Sequence, residues 1–217
     1  MSKIIDMNNI SINTLDLKTG DILLFDDRSK TCLGCWNRVI KCFTKSRYSH
    51  VAMVLKSPTY LDPQLTGTYI WESSWEGKPD PQDGKTKLGV QITPIEEILD
   101  EYRNTNSYVF LRRLTIPDGL ITIEKIKKIH SVVYDKPYDM NLIDWLGQIV
   151  GKDFRPRRIN NFWCSALIGY IYTELGILVE DTDWDVFRAC DFSVKYKHNL
   201  TFSDGCGLSN SEIQIVP

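Results

Sequence analysis

Three residues combine a reactive type with a setting that could use it: Cys164, His50 and Glu72. Cys164 falls in the first turn or so of a helical pattern running from about Phe162 to Leu175. Asn161 is a candidate N-cap for that helix and Gly176 a candidate stop. A helix N-terminus carries partial positive charge, which lowers a thiol pKa and favours the thiolate nucleophile. Lys152, Arg155, Arg157 and Arg158, offset only by Asp153, add positive potential just upstream. Helical spacing puts Cys164 on one face with Ile168, Ile171 and Leu175, so it looks inward. The plainer alternative is a buried small hydrophobe, the usual fate of a free cysteine.

A thiol nucleophile needs a base, most often histidine. Of the three histidines, His130 sits on a basic helical pattern, where a place at the polar edge is expected, and His198 lies in KYKHN, which reads as solvated chain. His50 is inside an apolar strand pattern, SHVAMVL, on one face with Ala52 and Val54. Glu72 belongs to another aromatic strand pattern, YIWES, on one face with Ile70. A carboxylate there is costly unless paired. Adjacent strands sharing an inner face would pair it with His50, leaving His50 to serve Cys164. The alternatives are a satisfied core histidine and an edge-strand carboxylate facing water.

These residues need a sheet and a helix to hold them. Strands are expected at Asp21–Phe25, entered through Gly20, and at Ser49–Leu55, Thr68–Ser73 and Ser107–Leu114. Helical stripes run through Gly34–Phe43, through Ile95, Ile98, Leu99 and Tyr102, and through Ile123, Ile126, Ile129 and Val133. A further helix is expected from about Asp139, with Leu142, Leu146 and Ile149 inward. Thr93-Pro94-Ile95-Glu96 predicts a capped helix start, with Thr93 as the cap and Glu96 closing a capping box. Glu76 to Gly89 reads as a surface loop by composition. The chain from about residue 192 is weakly patterned, with short strands as the expectation. Strands and helices interleave early and helices dominate later, so the expected class is α+β. No repeat or linker divides the chain, and one domain over residues 1–217 is expected.

Composition narrows the function. Lys+Arg is 26 and Asp+Glu is 28, for a net charge of −2, which does not suit a general nucleic-acid binder. At 42% hydrophobic and 11% aromatic, the chain can bury a real core and is not intrinsically disordered. Six cysteines are too few for a disulfide scaffold of this length. The start, MSKIIDMNNI, has no signal-peptide core, and the longest uncharged apolar stretch, Ile159 to Thr173, is shorter than the roughly 18–20 residues a membrane helix needs. The expectation is a soluble protein of the cytoplasm or another reducing compartment, without a transmembrane segment.

The segments LKTGDILLF, YSHVAMVL, WESSWEGK with GVQITPIEEIL, KPYDMNLIDWLG and FWCSALIGYIYTELGI resemble the permuted NlpC/P60 papain-like cysteine hydrolases. The nearest type is the YiiX/YaeF-like amidase group, which has poxvirus relatives. The resemblance covers about Leu17 to Phe192, and its specific parts are the Ser-His pair in a strand and Trp-Cys-Ser at a helix start. It implies a circularly permuted papain-like fold in which an antiparallel sheet carries the base and the polar partner. It maps the base onto His50, the partner onto Glu72 and the nucleophile onto Cys164, the three the residues had already singled out. It implies a hydrolase of amidase or peptidase type that needs no cofactor and acts on a small-molecule, peptide or lipid-like acyl substrate. The related lecithin:retinol-acyltransferase-like branch carries Asn-Cys-Glu-His, whereas this chain has Trp163-Cys164-Ser165-Ala166, which argues against that branch.

Other readings of the same residues compete. Cys32 and Cys35 form CLGC, with Cys42 and His50 beyond, a spacing able to hold zinc or a redox disulfide; no second Cys-x2-Cys supports it, and no metal is expected. A non-catalytic binding module could use Trp71, Trp75, Trp145, Trp163 and Trp184 to line a groove. Acyl transfer would use the same acyl-enzyme with a different acceptor. Trp71 and Trp163 are candidate substrate-binding residues, and Arg157 and Arg158 are candidates for a rim that draws an anionic group toward the cleft.

Overall fold

The computed structural model describes residues 4–6, 15–29, 46–138, 160–196 and 199–216. Its frame is a seven-stranded sheet. The strands are β1 (Ile4–Asp6), β2 (Ile22–Asp26), β3 (His50–Lys56), β4 (Thr68–Ser74), β5 (Gly89–Pro94), β6 (Tyr108–Arg112) and β9 (Glu212–Val216). They are ordered β1-β9-β6-β2-β3-β4-β5, and every neighbouring pair is antiparallel except β1 with β9. Two short strands, β7 (Leu114–Thr115) and β8 (Gly207–Leu208), pair separately. Three α-helices are described: α1 (Ile95–Asn104), α2 (Ile123–Val133) and α3 (Cys164–Leu175). The α+β class is therefore as the sequence predicts.

Alternation along the strands sorts their side chains onto two faces. One face carries Ile22, Leu24, Val51, Met53, Leu55, Trp71 and Phe110, buried against α2 and α3. The other carries Leu23, Phe25, Ala52, Val54, Ile70, Val109 and Leu111, buried against Ile95, Ile98 and Leu99 of α1. Covering on both faces explains why the central strands read as continuous apolar runs. Helix α3 is apolar almost all round and lies between the sheet and a 3-10 turn at Trp184–Val186. It ends as predicted: Gly176 is left-handed at φ 79°, and the N–H of Ile177 reaches back to the Tyr172 carbonyl at 2.8 Å. Its far end is tied to the sheet by the Tyr172 hydroxyl, which donates to the Gly20 carbonyl at 2.5 Å.

Several sequence expectations need correction. Helix α1 begins at Ile95 with Pro94 as its N-cap and no side-chain cap; Thr93 is instead a strand residue of β5. Helix α3 begins at Cys164, and its N-cap is Trp163 rather than Asn161. The loop of residues 76–89 is not merely a surface loop. Lys87, nearly buried, pairs with Asp80 at 3.0 Å and Asp83 at 2.9 Å, and the Tyr134 hydroxyl after α2 donates to Asp83 at 2.6 Å. The weakly patterned tail does form short strands, β8 and β9, and β9 is a full member of the main sheet between β1 and β6. Arg112, 1% exposed, holds that tail by donating to the carbonyls of Phe192, Leu208 and Ser209. The helices expected at Gly34–Phe43 and from about Asp139 lie outside the described residues, as do Cys32, Cys35, Cys42 and Trp145.

Candidate active site

Strand order, more than sequence distance, builds the site. β3, β4 and β5 are consecutive neighbours, and each contributes one polar side chain to a chain of hydrogen bonds. His50 opens β3 and donates from Nε2 to Oε2 of Glu72 on β4 at 2.7 Å. The second oxygen, Oε1, accepts from the Thr93 hydroxyl on β5 at 2.7 Å. Glu72 is 1% exposed, so this carboxylate is buried with both oxygens satisfied. On the other side of His50, Phe25 of β2 packs against the imidazole with ring centroids 5.2 Å apart. The ring is thus fixed in position, and its remaining nitrogen, Nδ1, is the one left for Cys164.

Cys164 is the first residue of α3 and is buried. The groups that act on its sulfur are the His50 imidazole and the backbone N–H groups of Val51 and Ser165. Burial by itself pushes this thiol up; the facing imidazolium, the hydrogen bond from it and the two backbone donors outweigh burial and hold the thiol below its ordinary value. For His50, burial by itself favours the neutral ring. The Cys164 thiolate and the Glu72 carboxylate outweigh it and raise the imidazole well above its usual range. The two directions agree on a thiolate–imidazolium pair.

The three residues do not reach the site from one shared face. By alternation His50 and Glu72 belong to the α1 face, with Ala52, Val54 and Ile70, whereas α3 packs on the opposite face. They meet at the end of β3. The last registered β3–β4 pair is Met53 with Trp71, so His50 and Glu72 lie beyond the point where these strands pair, next to the α3 N-terminus.

The other candidates fare differently. Trp71 is 1% exposed, in the core with α3, and its ring lies 5.7 Å from that of His130; it offers no surface to a substrate. Trp163 is half-buried, adjoins Cys164, and its indole Nε1 finds no hydrogen-bond partner among the described residues. Trp184 is buried against Phe162 and Tyr170, while Trp75 is exposed. Arg157 and Arg158, with Lys152 and Arg155, lie outside the described residues, as does His198. His130 is not at a polar edge. It sits among the rings of Tyr60, Trp71 and Tyr134, is hydrogen-bonded to Gln82 at 2.8 Å, and burial together with Lys87 pushes it down to about 4.

Sequence reading missed two contributors. Thr93 has the Thr-Pro signature of a helix cap, and only the β4–β5 pairing reveals its hydrogen bond to Glu72. Glu76 accepts from the Ser74 hydroxyl at 2.9 Å, and Ser74 accepts from Gln91 at 2.8 Å. Burial and the nearby Glu72 carboxylate push Glu76 up to about 8. Its signal was a second glutamate in WESSWEGK, four residues after the first. Of the described thiols, Cys190 is pushed up to about 11 by burial and Asp191, and Cys206 is raised by burial. Among the described residues no group of His, Cys, Asp and Glu is arranged to hold a metal ion, and no helix is long and apolar enough to cross a membrane. No family model matches the chain, and no curated protein matches it.

Proposed function

We propose that this protein is a cysteine hydrolase of permuted papain-like type, acting on an amide or ester carbonyl through an acyl-enzyme. One observation carries the reading: the helix-start thiol of Cys164 contacts an imidazole whose other nitrogen is held by a buried carboxylate. The chain order His50, Glu72, Cys164 and the largely antiparallel sheet support the permuted arrangement.

The chemistry follows from the pair. The Cys164 thiolate attacks the carbonyl carbon, and the C=O electron pair moves onto oxygen. First-turn N–H groups of a helix have no intrahelical acceptor, and the Cys164 N–H is the one beside the sulfur, suited to that developing charge. The imidazolium of His50 gives its Nδ1 proton to the leaving nitrogen or oxygen as the tetrahedral intermediate collapses to a thioester. Water then attacks the thioester, His50 takes one of its protons, the C–S bond breaks, and the acid product leaves the thiolate–imidazolium pair restored. Glu72 keeps Nε2–H occupied throughout, so the ring presents the same nitrogen at each step.

The test is labelling with a panel of acyl electrophiles of varied chain, followed by peptide mapping and by release of acid product. Cys164 is expected to carry the label ahead of Cys190 and Cys206, and Cys164→Ala to lose both label and turnover. Turnover that survives Cys164→Ala would remove the reading.

A further inference from the structure

Strand β4 presents consecutive residues to opposite faces, and at Glu72-Ser73 both faces meet the site. Glu72 points to the α1 side and holds His50. Ser73 is fully buried on the α3 side, and its hydroxyl donates to the backbone carbonyl of Phe162 at 2.6 Å, across 89 positions of sequence. Phe162 is two residues before Cys164 and adjoins the N-cap Trp163. Its own N–H donates to the Pro137 carbonyl at 3.1 Å, and its ring packs against Tyr170 and Trp184. Just after the nucleophile, the Ser165 hydroxyl donates to the Phe187 carbonyl at 2.6 Å. The backbone on each side of Cys164 is therefore strapped by a buried serine hydroxyl, and only the Ser73 strap leads back to the strand that carries Glu72.

This linkage matters because β3 and β4 are no longer paired here. Nothing in the ladder between them fixes the spacing of His50 and Glu72 beyond the Met53–Trp71 pair. β4 is held instead by β5, through the Glu72–Gln91 and Ser73–Val90 positions. A contact between two reacting groups is sensitive to displacements of about 1 Å, which can cost about 100-fold in rate. We propose that Ser73 is a positioning residue: by anchoring the Phe162 carbonyl to β4 it sets the distance between the Cys164 sulfur and His50. The proposal rests on the reading of Cys164 and His50 as the reacting pair.

The test needs no substrate. The rate of Cys164 alkylation by iodoacetamide is followed against pH in the wild type, Ser73→Ala and Ser73→Thr. Tyr172→Phe serves as control, because it removes a buried hydroxyl from the same helix far from the sulfur. The expected result is a fall of about tenfold in the Ser73→Ala rate at pH 6 relative to its rate at pH 9.5, since a weaker pair leaves less thiolate at low pH. Ser73→Thr keeps the wild-type ratio, and Tyr172→Phe lowers thermal stability with that ratio unchanged. The Ser73→Thr and Ser73→Val pair repeats the comparison at constant shape, so whichever pair folds decides the question. A wild-type ratio in the folded variant lacking the hydroxyl overturns the role of Ser73 and leaves the reacting pair intact. An equal fall in Tyr172→Phe also overturns it. A wild type whose Cys164 gains reactivity only at alkaline pH overturns the pair and the positioning role together.

Discussion

Glu72→Gln preserves the shape of the side chain and removes its charge, so it isolates what the carboxylate does for His50. In the folded protein its two oxygens accept one hydrogen bond each, from His50 and from Thr93, both at 2.7 Å. Glutamine has one carbonyl oxygen for these two donors. The Thr93 hydroxyl can turn and accept from the amide, which leaves the carbonyl oxygen for His50, so what the protonated ring loses is the opposite charge that strengthened its hydrogen bond. A hydrogen bond to a charged group contributes about 1.5–3 kcal/mol. At about 1.4 kcal/mol per factor of ten, the imidazolium becomes disfavoured by about 10- to 100-fold. His50 and Cys164 share that proton, so the thiolate fraction at neutral pH falls by up to the same factor. The assay is the second-order rate of Cys164 alkylation between about pH 5 and pH 10, with the modified peptide identified by mass. The wild-type rate should rise at acidic pH and then level. The variant should be slow through the neutral range and converge on the wild type above about pH 9, where solvent rather than His50 removes the thiol proton. Superimposable profiles would refute the reasoning. A deficit persisting to the alkaline end would also refute it, since that result means a displaced or covered sulfur.

Three further outcomes test the packing and electrostatics. The folded thiolate–imidazolium pair holds one proton, whereas the unfolded chain holds two on these groups below 6.5 and none above 9.0. Urea unfolding of the wild type minus that of a His50→Gln, Cys164→Ser variant should therefore give a stability difference that rises with pH up to 6.5, is level to 9.0 and falls beyond, and a difference still rising past that point would contradict the pair. Gly169→Ala places a Cβ 2.6 Å from the Phe187 ring and 2.8 Å from the Trp184 Cβ, so calorimetry should find a loss of about 1–3 kcal/mol; an unchanged melting temperature would mean this contact is loose. Arg112→Met leaves the carbonyls of Phe192, Leu208 and Ser209 without their guanidinium, at a cost of about 1–3 kcal/mol for each buried group left unpaired; limited proteolysis should then cut first around β8 and β9, and a variant as resistant as the wild type would remove Arg112 from the role of tail anchor.

Periodicity and residue type were sufficient for β2, β3, β4, β6 and the three described helices, though not for β5 or for the caps. The spacing of Ile123, Ile126, Ile129 and Val133 specifies α2, whose bounds are Ile123–Val133, because a helix returns to the same face at those intervals. Gly176 specifies where α3 stops, because a left-handed residue costs glycine least. The types of His50, Glu72 and Cys164, each in an otherwise apolar element, single out the site, because buried polar groups there must find partners. Pattern in one dimension does not say which strands become neighbours, and that is where tertiary structure decided. Thr93 serves Glu72 rather than a helix end because β5 lies beside β4 in a register that brings them together. Trp71 is core rather than groove because α3 covers its face of the sheet. His130 is half-buried because the loop of residues 76–89, held by Lys87, Asp80 and Asp83, folds back and brings Gln82 to it. His50 and Cys164 come from opposite faces, and only the unpaired ends of β3 and β4 let them meet. Each of these outcomes depends on contacts between residues distant in sequence, where register and packing set the partner and local preference has no vote.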